Sequence, residues 1–149
     1  MRTYYIFNIN KSLSYIYQKN PYKIYKMLEE IYHTCDKDLV LTYKFFEQVA
    51  YPFDKNKINS YLKNKYSYEK EYDYNNNNMH IYLSSKETSK ILINNTHIKI
   101  KTNINYPIFF DGIDNYQDNL FVCDFQSKDY FWLDEIHKKD CQNKEYLVK

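Results

Sequence analysis

The pattern of apolar and polar positions predicts that the chain begins with a buried strand. Residues 3–9 (TYYIFNI) are rich in aromatic and β-branched side chains, which favours a strand. Their nearly continuous apolar character is typical of a central strand, buried on both faces. Ser12 is a suitable N-cap for a short helix that reaches Tyr17. The first segment therefore predicts a central strand followed directly by a short helix.

A second helix is predicted to begin at Asn20-Pro21. Asparagine is a favoured cap, and proline loses nothing at the first helical position, where its missing N–H would be unpaired anyway. The residues that follow place one apolar face at intervals of three and four positions, namely Ile24, Met27, Leu28 and Ile31.

Two more helices are predicted before residue 64. Asp36 can cap the third helix, which Pro52 ends. Its inward face is predicted to contain Leu39, Tyr43, Phe46 and Ala50. Asp54 can cap the fourth helix, whose inward side chains are predicted to be Ile58, Tyr61 and Leu62.

The next part of the chain predicts a loop and three strands. Residues 64–78 mix charge, tyrosine and an asparagine tract, which indicates a loop. The strands are predicted at residues 79–83, 89–93 and 97–101. Asn94-Asn95 joins the last two, and this pair tolerates the positive φ angles of a tight hairpin. Strict alternation in the third strand predicts one solvent-exposed face.

The last part of the chain completes the fold prediction. Residues 106–116 predict a helix interrupted by Gly112, residues 120–123 a strand, and residues 129–133 a last strand or a strand-edge turn. We therefore expect one α/β (α+β) domain over residues 1–149. Its sheet is predicted to be mostly antiparallel or mixed, with about five strands and about three or four helices. The last ten or so residues are expected to form a loose tail.

The composition shows a charge asymmetry between the two parts of the chain and an amino-acid bias that limits functional interpretation. The chain has 19 Tyr and 9 Phe but a single Gly, Gly112. Lys, Asn, Ile and Tyr dominate as they do when codons are forced toward A and T, so tyrosine richness alone indicates no function. Residues 1–104 have a net charge of +6 and residues 105–149 a net charge of −4. Such an asymmetry can steer a charged partner but does not determine a fold.

Most forms of site chemistry find no support in the sequence. Phosphate-binding loops and serine elbows need glycines, and one glycine cannot build them. The four histidines are scattered, and the three cysteines form no CxxC pair, so no metal site, cofactor or disulfide framework is predicted. We expect a cytoplasmic protein, since no signal peptide or membrane span is recognisable. We expect no enzymatic activity, since no catalytic motif is recognisable. An enzyme of unrecognised type remains an alternative.

A second alternative is a sequence-tolerant nucleic-acid-binding module. Lysines interleaved with tyrosines can contact phosphates and stack on bases. Arginine, the usual bidentate reader of phosphate and guanine, is nearly absent, with Arg2 alone. Direct nucleic-acid binding is therefore not favoured.

Residues 119–133 (NLFVCDFQSKDYFWL) form the most distinctive string in the chain. A buried strand runs into Asp124, which can accept hydrogen bonds from backbone N–H groups in the turn that follows. Tyr130, Trp132 and Leu133 then return as large packing residues. The string is predicted to close the core.

This string resembles the C-terminal signature of the sporulation inhibitor of replication family (SirA). The tyrosine-rich first strand and the short helix behind it resemble the same family, so that residues 3–31 and 119–136 match most closely. The resemblance implies a non-enzymatic regulator that binds the N-terminal domain of the replication initiator DnaA. It implies inhibition by occlusion of a DnaA surface that is needed for initiation, without a small-molecule substrate.

The resemblance also implies a contact surface on the helix after the first strand. The matching positions are Leu13 and Tyr17, one turn apart on a common face. Tyr17 matches the aromatic pattern of the family, whereas Leu13 is aliphatic. Ile16 either shares this face or holds the helix to the core, and core packing is the alternative role for Leu13 and Tyr17. Phe45, on the outer face of the third helix beside Leu41, is a further candidate contact.

Overall fold

The computed structural model describes residues 1–34, 39–75 and 77–135. Within these residues the helices are α1 (Lys11–Ile16), α2 (Pro21–Thr34), α3 (Leu39–Val49), α4 (Lys55–Tyr66) and α5 (Phe109–Tyr116). The strands are β1 (Arg2–Ile9), β2 (Ala50–Tyr51), β3 (Tyr72–Tyr74), β4 (Met79–Leu83), β5 (Thr88–Ile93), β6 (Ile98–Thr102), β7 (Leu120–Asp124) and β8 (Asp129–Trp132). Residues 133–135 form a further helical turn.

The strands form one open antiparallel sheet in the order β3-β4-β5-β6-β1-β7-β8, with β2 paired to the end of β1. The predicted α+β class is therefore confirmed, but the predicted number of about five strands is too low. The prediction that β1 is central is confirmed, since β1 pairs with β6 on one side and with β7 on the other.

Two hydrophobic cores lie on opposite faces of the sheet. On one face α4 and α5 pack over the inward side chains of β5, β6 and β1, including Ile91, Ile100 and Tyr4. On the other face α2 and α3 pack over β1, β7 and β8, around Phe7 and Phe121. The successive residues of β1 enter the two cores alternately, as the period of two in a strand requires. The aromatic run in β1 thus joins both layers.

Several predicted helix features are confirmed. Pro21 begins α2, and Ile24 and Leu28 are fully buried on its inner face. Asp54 caps α4 by accepting a hydrogen bond from the Lys57 N–H at 3.2 Å. In α4, Ile58 and Leu62 are buried as predicted.

Other helix predictions are wrong at their ends. Asn10, not Ser12, caps α1 and accepts a hydrogen bond from the Ser12 N–H at 2.9 Å. α3 ends at Val49, because Ala50 pairs with Ile9 as part of β2 and so does not belong to the helix face. Tyr43 is 50% exposed and so does not belong to the inward face of α3, whereas Val49 is buried and does. The predicted cap Asp36 lies outside the described residues.

The predicted loop at residues 64–78 is only partly a loop. α4 continues to Tyr66, and Tyr72–Tyr74 form β3, an edge strand paired with β4. The helix predicted at 106–116 begins at Phe109, after Pro107. The hairpin between β5 and β6 has a four-residue loop at 94–97, and the positive φ angles of the described residues lie at Asn78, Asn119 and Lys128 instead. The hairpin predicted at Asn94-Asn95 is therefore present, with the Asn94 N–H donating to the His97 carbonyl at 2.9 Å, but neither asparagine has a positive φ angle.

The distinctive C-terminal string closes the core, as predicted. β7 is buried along its whole length, and Leu133 is 1% exposed. Asp124 accepts a hydrogen bond from the Ser127 N–H at 3.1 Å in the turn between β7 and β8. The same carboxylate also binds Arg2, whose Nε lies 3.1 Å from its Oδ2. The chain's one arginine thus joins the first strand to this turn.

Candidate functional site

The short helix α1 is fixed to the sheet by polar contacts rather than by burial. None of its residues is fully buried. Ser14 Oγ donates to Asn119 Oδ1 at 2.5 Å, and the Asn119 side chain donates to the Ile9 carbonyl at 2.6 Å. The Asn10 N–H donates to the Val49 carbonyl at 2.8 Å, which attaches the start of α1 to the end of α3. These contacts set α1 against α2 and α3.

An apolar groove of about 460 Å³ lies between α1, α2 and α3. We refer to it as the three-helix groove. Its lining residues come from all three helices and are Leu13, Met27, Glu30, Ile31, Thr34, Leu41, Thr42, Phe45, Gln48 and Val49. Such a concave apolar surface with a few polar groups at its rim is the form that binding sites commonly take.

The three-helix groove brings together two of the three predicted contact residues. Leu13 lines it from α1 and Phe45 lines it from α3. Phe45 is 49% exposed and its neighbour Leu41 is 51% exposed, as the helix face predicted. Leu13 is half-buried and also packs against the core, so both of the roles that the sequence left open remain compatible with its position.

Tyr17, the third predicted contact residue, lies beside the three-helix groove and not in it. It lines an adjoining depression that shares Met27, Glu30 and Thr34 with the groove. Like Leu13, Tyr17 is half-buried against the core. Ile16 is 65% exposed and lines neither depression, so it does not hold α1 to the core.

Met27 and Ile31 are groove residues that the sequence assigned to the core. Ile24 and Leu28 at the centre of the apolar stripe of α2 are buried, while Met27 and Ile31 at its margin are half-buried. The spacing of these four residues is that of one ordinary buried face, so the sequence carried no signal that distinguished Met27 and Ile31 from the core. Met27 and Ile31 line the groove because α1 and α3 lie next to this margin of α2.

Charged groups surround the adjoining depression. Lys26 Nζ lies 2.8 Å from Glu29 Oε1, and the Tyr25 hydroxyl donates to the other oxygen of Glu29 at 2.8 Å. The hydrogen bond from Lys26, together with that from Tyr25, lowers the pKa of Glu29. Glu29 is therefore ionised near neutral pH, and Glu30 lies beside it at the groove rim.

The described residues contain no cluster of metal-ligating side chains. Within residues 1–34, 39–75 and 77–135, no group of three or more His, Cys, Asp or Glu side chains is arranged to hold a metal ion. Burial raises the pKa of the Cys123 thiol, which is therefore protonated and lies beneath α2 in the core. In the same parts of the chain, no helix has the length and hydropathy of a membrane span.

The comparisons with known proteins give one family. A family model described as "Sporulation inhibitor of replication protein SirA" matches residues 2–137, which is nearly the whole chain. A search of curated proteins found no match. The match includes both ends that resembled the family in the sequence, and the family is one of regulatory inhibitors rather than of enzymes. The chain belongs to the SirA family of sporulation inhibitors of replication.

Proposed function

We propose that this protein binds the N-terminal domain of DnaA and thereby inhibits the initiation of chromosome replication. Membership of the SirA family supports the role of replication inhibitor. The observation that carries the proposal is the three-helix groove, which joins Leu13 and Phe45 from separate helices. A protein that inhibits by occlusion needs a surface for its target, and this groove meets that need without catalytic chemistry.

The groove contains Phe45 and Met27, and aromatic side chains and methionine are enriched at protein interfaces. A few anchor side chains contribute most of the binding energy at such interfaces. Phe45 and Leu41 line the groove and are half-exposed, whereas Met27 and Ile31 line it and are half-buried. A helix or loop of DnaA with apolar side chains would bury these groups, and Tyr17 would contact it at the margin.

Calorimetric titration with the DnaA N-terminal domain tests the proposal. We expect saturable binding with one site, and no binding at tens of micromolar would contradict the proposal. Binding should be weakened by changes in the three-helix groove and unaffected by changes on the opposite layer of α4 and α5. The two substitutions that follow make this expectation specific.

Replacing Phe45 with alanine is expected to weaken DnaA binding by about 1–2 kcal/mol. The reason is that alanine would bury much less apolar area against DnaA in the complex than the phenylalanine ring would. Tyr43 provides the matched control, since it lies on the same helix with a similar exposed fraction but does not line the groove. Tyr43→Ala should therefore change the affinity by less than about 0.5 kcal/mol. Equal losses in the two variants would remove Phe45 from the interface.

Replacing Tyr17 with alanine is expected to weaken binding by about 1 kcal/mol. Tyr15 is its control, because it is 82% exposed on the same short helix but lines a different depression, with Asp118 and Trp132. If Tyr15→Ala lowers the affinity and Tyr17→Ala does not, the partner contacts the other side of α1. Far-ultraviolet circular dichroism checks that both variants stay folded.

A further inference from the structure

Among residues 1–34, 39–75 and 77–135, helices pack on only one face of the half of the sheet that contains β4, β5 and β6. The inward side chains of β5 and β6, such as Ile91 and Ile98, belong to the core beneath α4 and α5. The outward side chains of β4, β5 and β6 belong to neither of the two cores. We call this surface the open face, and its residues are Met79, Ile81, Leu83, Thr88, Lys90, Leu92, Lys99 and Lys101.

A set of apolar side chains, which we call the apolar group, lies at one side of the open face. The strand register places Met79 directly opposite Leu92, while Ile81 is two residues further along β4 on the same face. These three side chains are half-buried, and Leu83 at the end of β4 is 55% exposed. Four neighbouring apolar side chains thus lie outside both cores on this face.

Three lysines cover the other side of the open face. Lys90 and Lys101 are directly opposite each other, and Lys99 is opposite both Leu92 and Tyr5. Lys99 Nζ lies 5.8 Å from the centre of the Tyr5 ring. Among the described residues, the ion pairs involve none of these three lysines. Since like charges directly opposite each other destabilise a sheet, this arrangement costs stability.

We propose that the open face binds an acidic amphipathic helix of a partner protein. The side chains of the apolar group would pack against the apolar stripe of such a helix, and Lys90, Lys99 and Lys101 would pair with carboxylates on the side of the stripe toward β6. Asp73, opposite Ile81 on β3, lies on the other side. A helix is about 10 Å wide, so it spans two to three strands at a spacing of about 4.8 Å. An added helix would also relieve the repulsion between Lys90 and Lys101.

The same lysines could attract nucleic acid, but the chemistry of the face favours a helix. Single strands are held by exposed aromatic rings on which the bases stack. The aromatic ring at this place is Tyr5, which is half-buried and lies beneath Lys99. Met79, Ile81 and Leu92 offer flexible or aliphatic contacts, which suit apolar side chains better than bases.

The open face is separate from the three-helix groove. The groove is built from α1, α2 and α3, whereas the open face is built from β4, β5 and β6. The inference therefore does not depend on DnaA binding at the groove. Failure of one proposal leaves the other unchanged.

The test uses a designed peptide and the full-length protein. The peptide has about 20 residues, with leucines at intervals of three and four positions and glutamates flanking them. A second peptide replaces every glutamate with glutamine, and a thymidine oligonucleotide tests nucleic acid. Fluorescence anisotropy at low salt measures affinity, and backbone amide chemical shifts identify the surface that is contacted.

Two double variants lose the same number of positive charges. They distinguish the effect of the open-face lysines on peptide binding from the effect of the net charge of the protein. Lys90→Gln with Lys101→Gln changes the open face. Lys57→Gln with Lys65→Gln is the matched control, because both lysines are exposed on α4 in the opposite layer. Thermal unfolding checks folding, and the open-face variant should unfold at the same or a higher temperature than the unmodified protein, since a repulsion is removed.

We expect the acidic peptide to bind below about 1 mM, with chemical shifts changing in β4, β5 and β6. The open-face variant should raise its Kd about five- to tenfold, as expected for two lost ion pairs, while the control stays within about twofold. Added salt should weaken the binding. The proposal is overturned by no binding at 1 mM, by shifts confined to the three-helix groove, by equal affinity for the glutamine peptide, or by tighter binding of the oligonucleotide at this face.

Discussion

Replacing Gly112 with alanine is expected to lower the free energy of unfolding by about 2–3 kcal/mol, although alanine normally stabilises a helix relative to glycine. The reason is the close approach of Tyr66. A Cβ atom at position 112 would lie 2.5 Å from the Tyr66 hydroxyl oxygen and 2.9 Å from a ring carbon. Real Cβ atoms do not make such contacts, so α4 and α5 would have to move apart.

The Tyr66 hydroxyl cannot move away without loss. It donates to the Ile108 carbonyl at 2.8 Å and accepts a hydrogen bond from the Gly112 N–H at 3.0 Å. Tyr66 is 3% exposed, so displacing the hydroxyl would leave buried polar groups without partners. The chain's only glycine is therefore explained by a packing contact at the start of α5.

Urea denaturation of Gly112→Ala measures this effect. Asn115→Ala is the matched control, because Asn115 is exposed on the same helix and its replacement should be neutral or slightly stabilising. A double-mutant cycle with Tyr66→Phe, which removes the closest atom, should show a coupling of about 1 kcal/mol. A Gly112→Ala variant as stable as the Asn115→Ala variant would contradict the contact.

Acidification from pH 7 to pH 4 is expected to remove about 3 kcal/mol of the free energy of unfolding through His80. Burial lowers the pKa of His80 from 6.5 to about 4 in the folded protein. Between these two pH values His80 is mostly protonated in the unfolded chain and mostly neutral in the folded protein. The contribution is therefore complete above the unfolded pKa of 6.5 and is lost as the pH falls through the folded pKa of about 4.

The contacts of His80 are consistent with a neutral ring. Its Nε2 lies 2.9 Å from Asn59 Oδ1, which only accepts, so Nε2 carries the proton. Its Nδ1 then accepts from the Tyr72 hydroxyl at 2.7 Å. The ring is fully buried between α4 and β3, where a positive charge would be desolvated.

Urea denaturation at a series of pH values tests this expectation. In His80→Gln the dependence of stability on pH should be reduced, whereas His33→Gln, at an exposed position on α2, should keep the full dependence. Burial, together with nearby Lys99, also lowers the pKa of His97 to about 4, so His97 leaves a residual dependence of the same sign in the His80 variant. Identical pH profiles for His80→Gln and the unmodified protein would contradict the assignment.

The candidate site was partly predictable because an exposed apolar side chain on an amphipathic helix can be recognised from spacing. Phe45 and Leu41 lie outside the inward face of α3, and both are half-exposed. Met27 and Ile31 could not be recognised in this way, because spacing does not distinguish the centre of an apolar stripe from its margin. Leu13 and Tyr17 were identified from the family resemblance, and their role as contacts stays a prediction.

Two errors in the fold prediction share one cause. Ala50 continues the apolar pattern of α3, but hydrogen bonds to β1 place it in β2. Tyr72–Tyr74 follow a polar tract that reads as loop, and they become a strand because the edge of β4 is available for pairing. In both places a long-range backbone pairing overrides the local pattern, and such pairings depend on residues that are distant in sequence.

The sequence by itself determined the class of fold, the central position of β1, the inward faces of α2 and α4 and the core-closing role of residues 119–133. Each follows from local periodicity, caps and turn chemistry, which act over a few residues. Only the tertiary structure decided that α1, α2 and α3 enclose a groove, and that Lys90 and Lys101 face each other on a sheet face that no helix covers within the described part of the chain. Both surfaces depend on which elements pack together and which faces they leave uncovered, and these are properties of the whole chain.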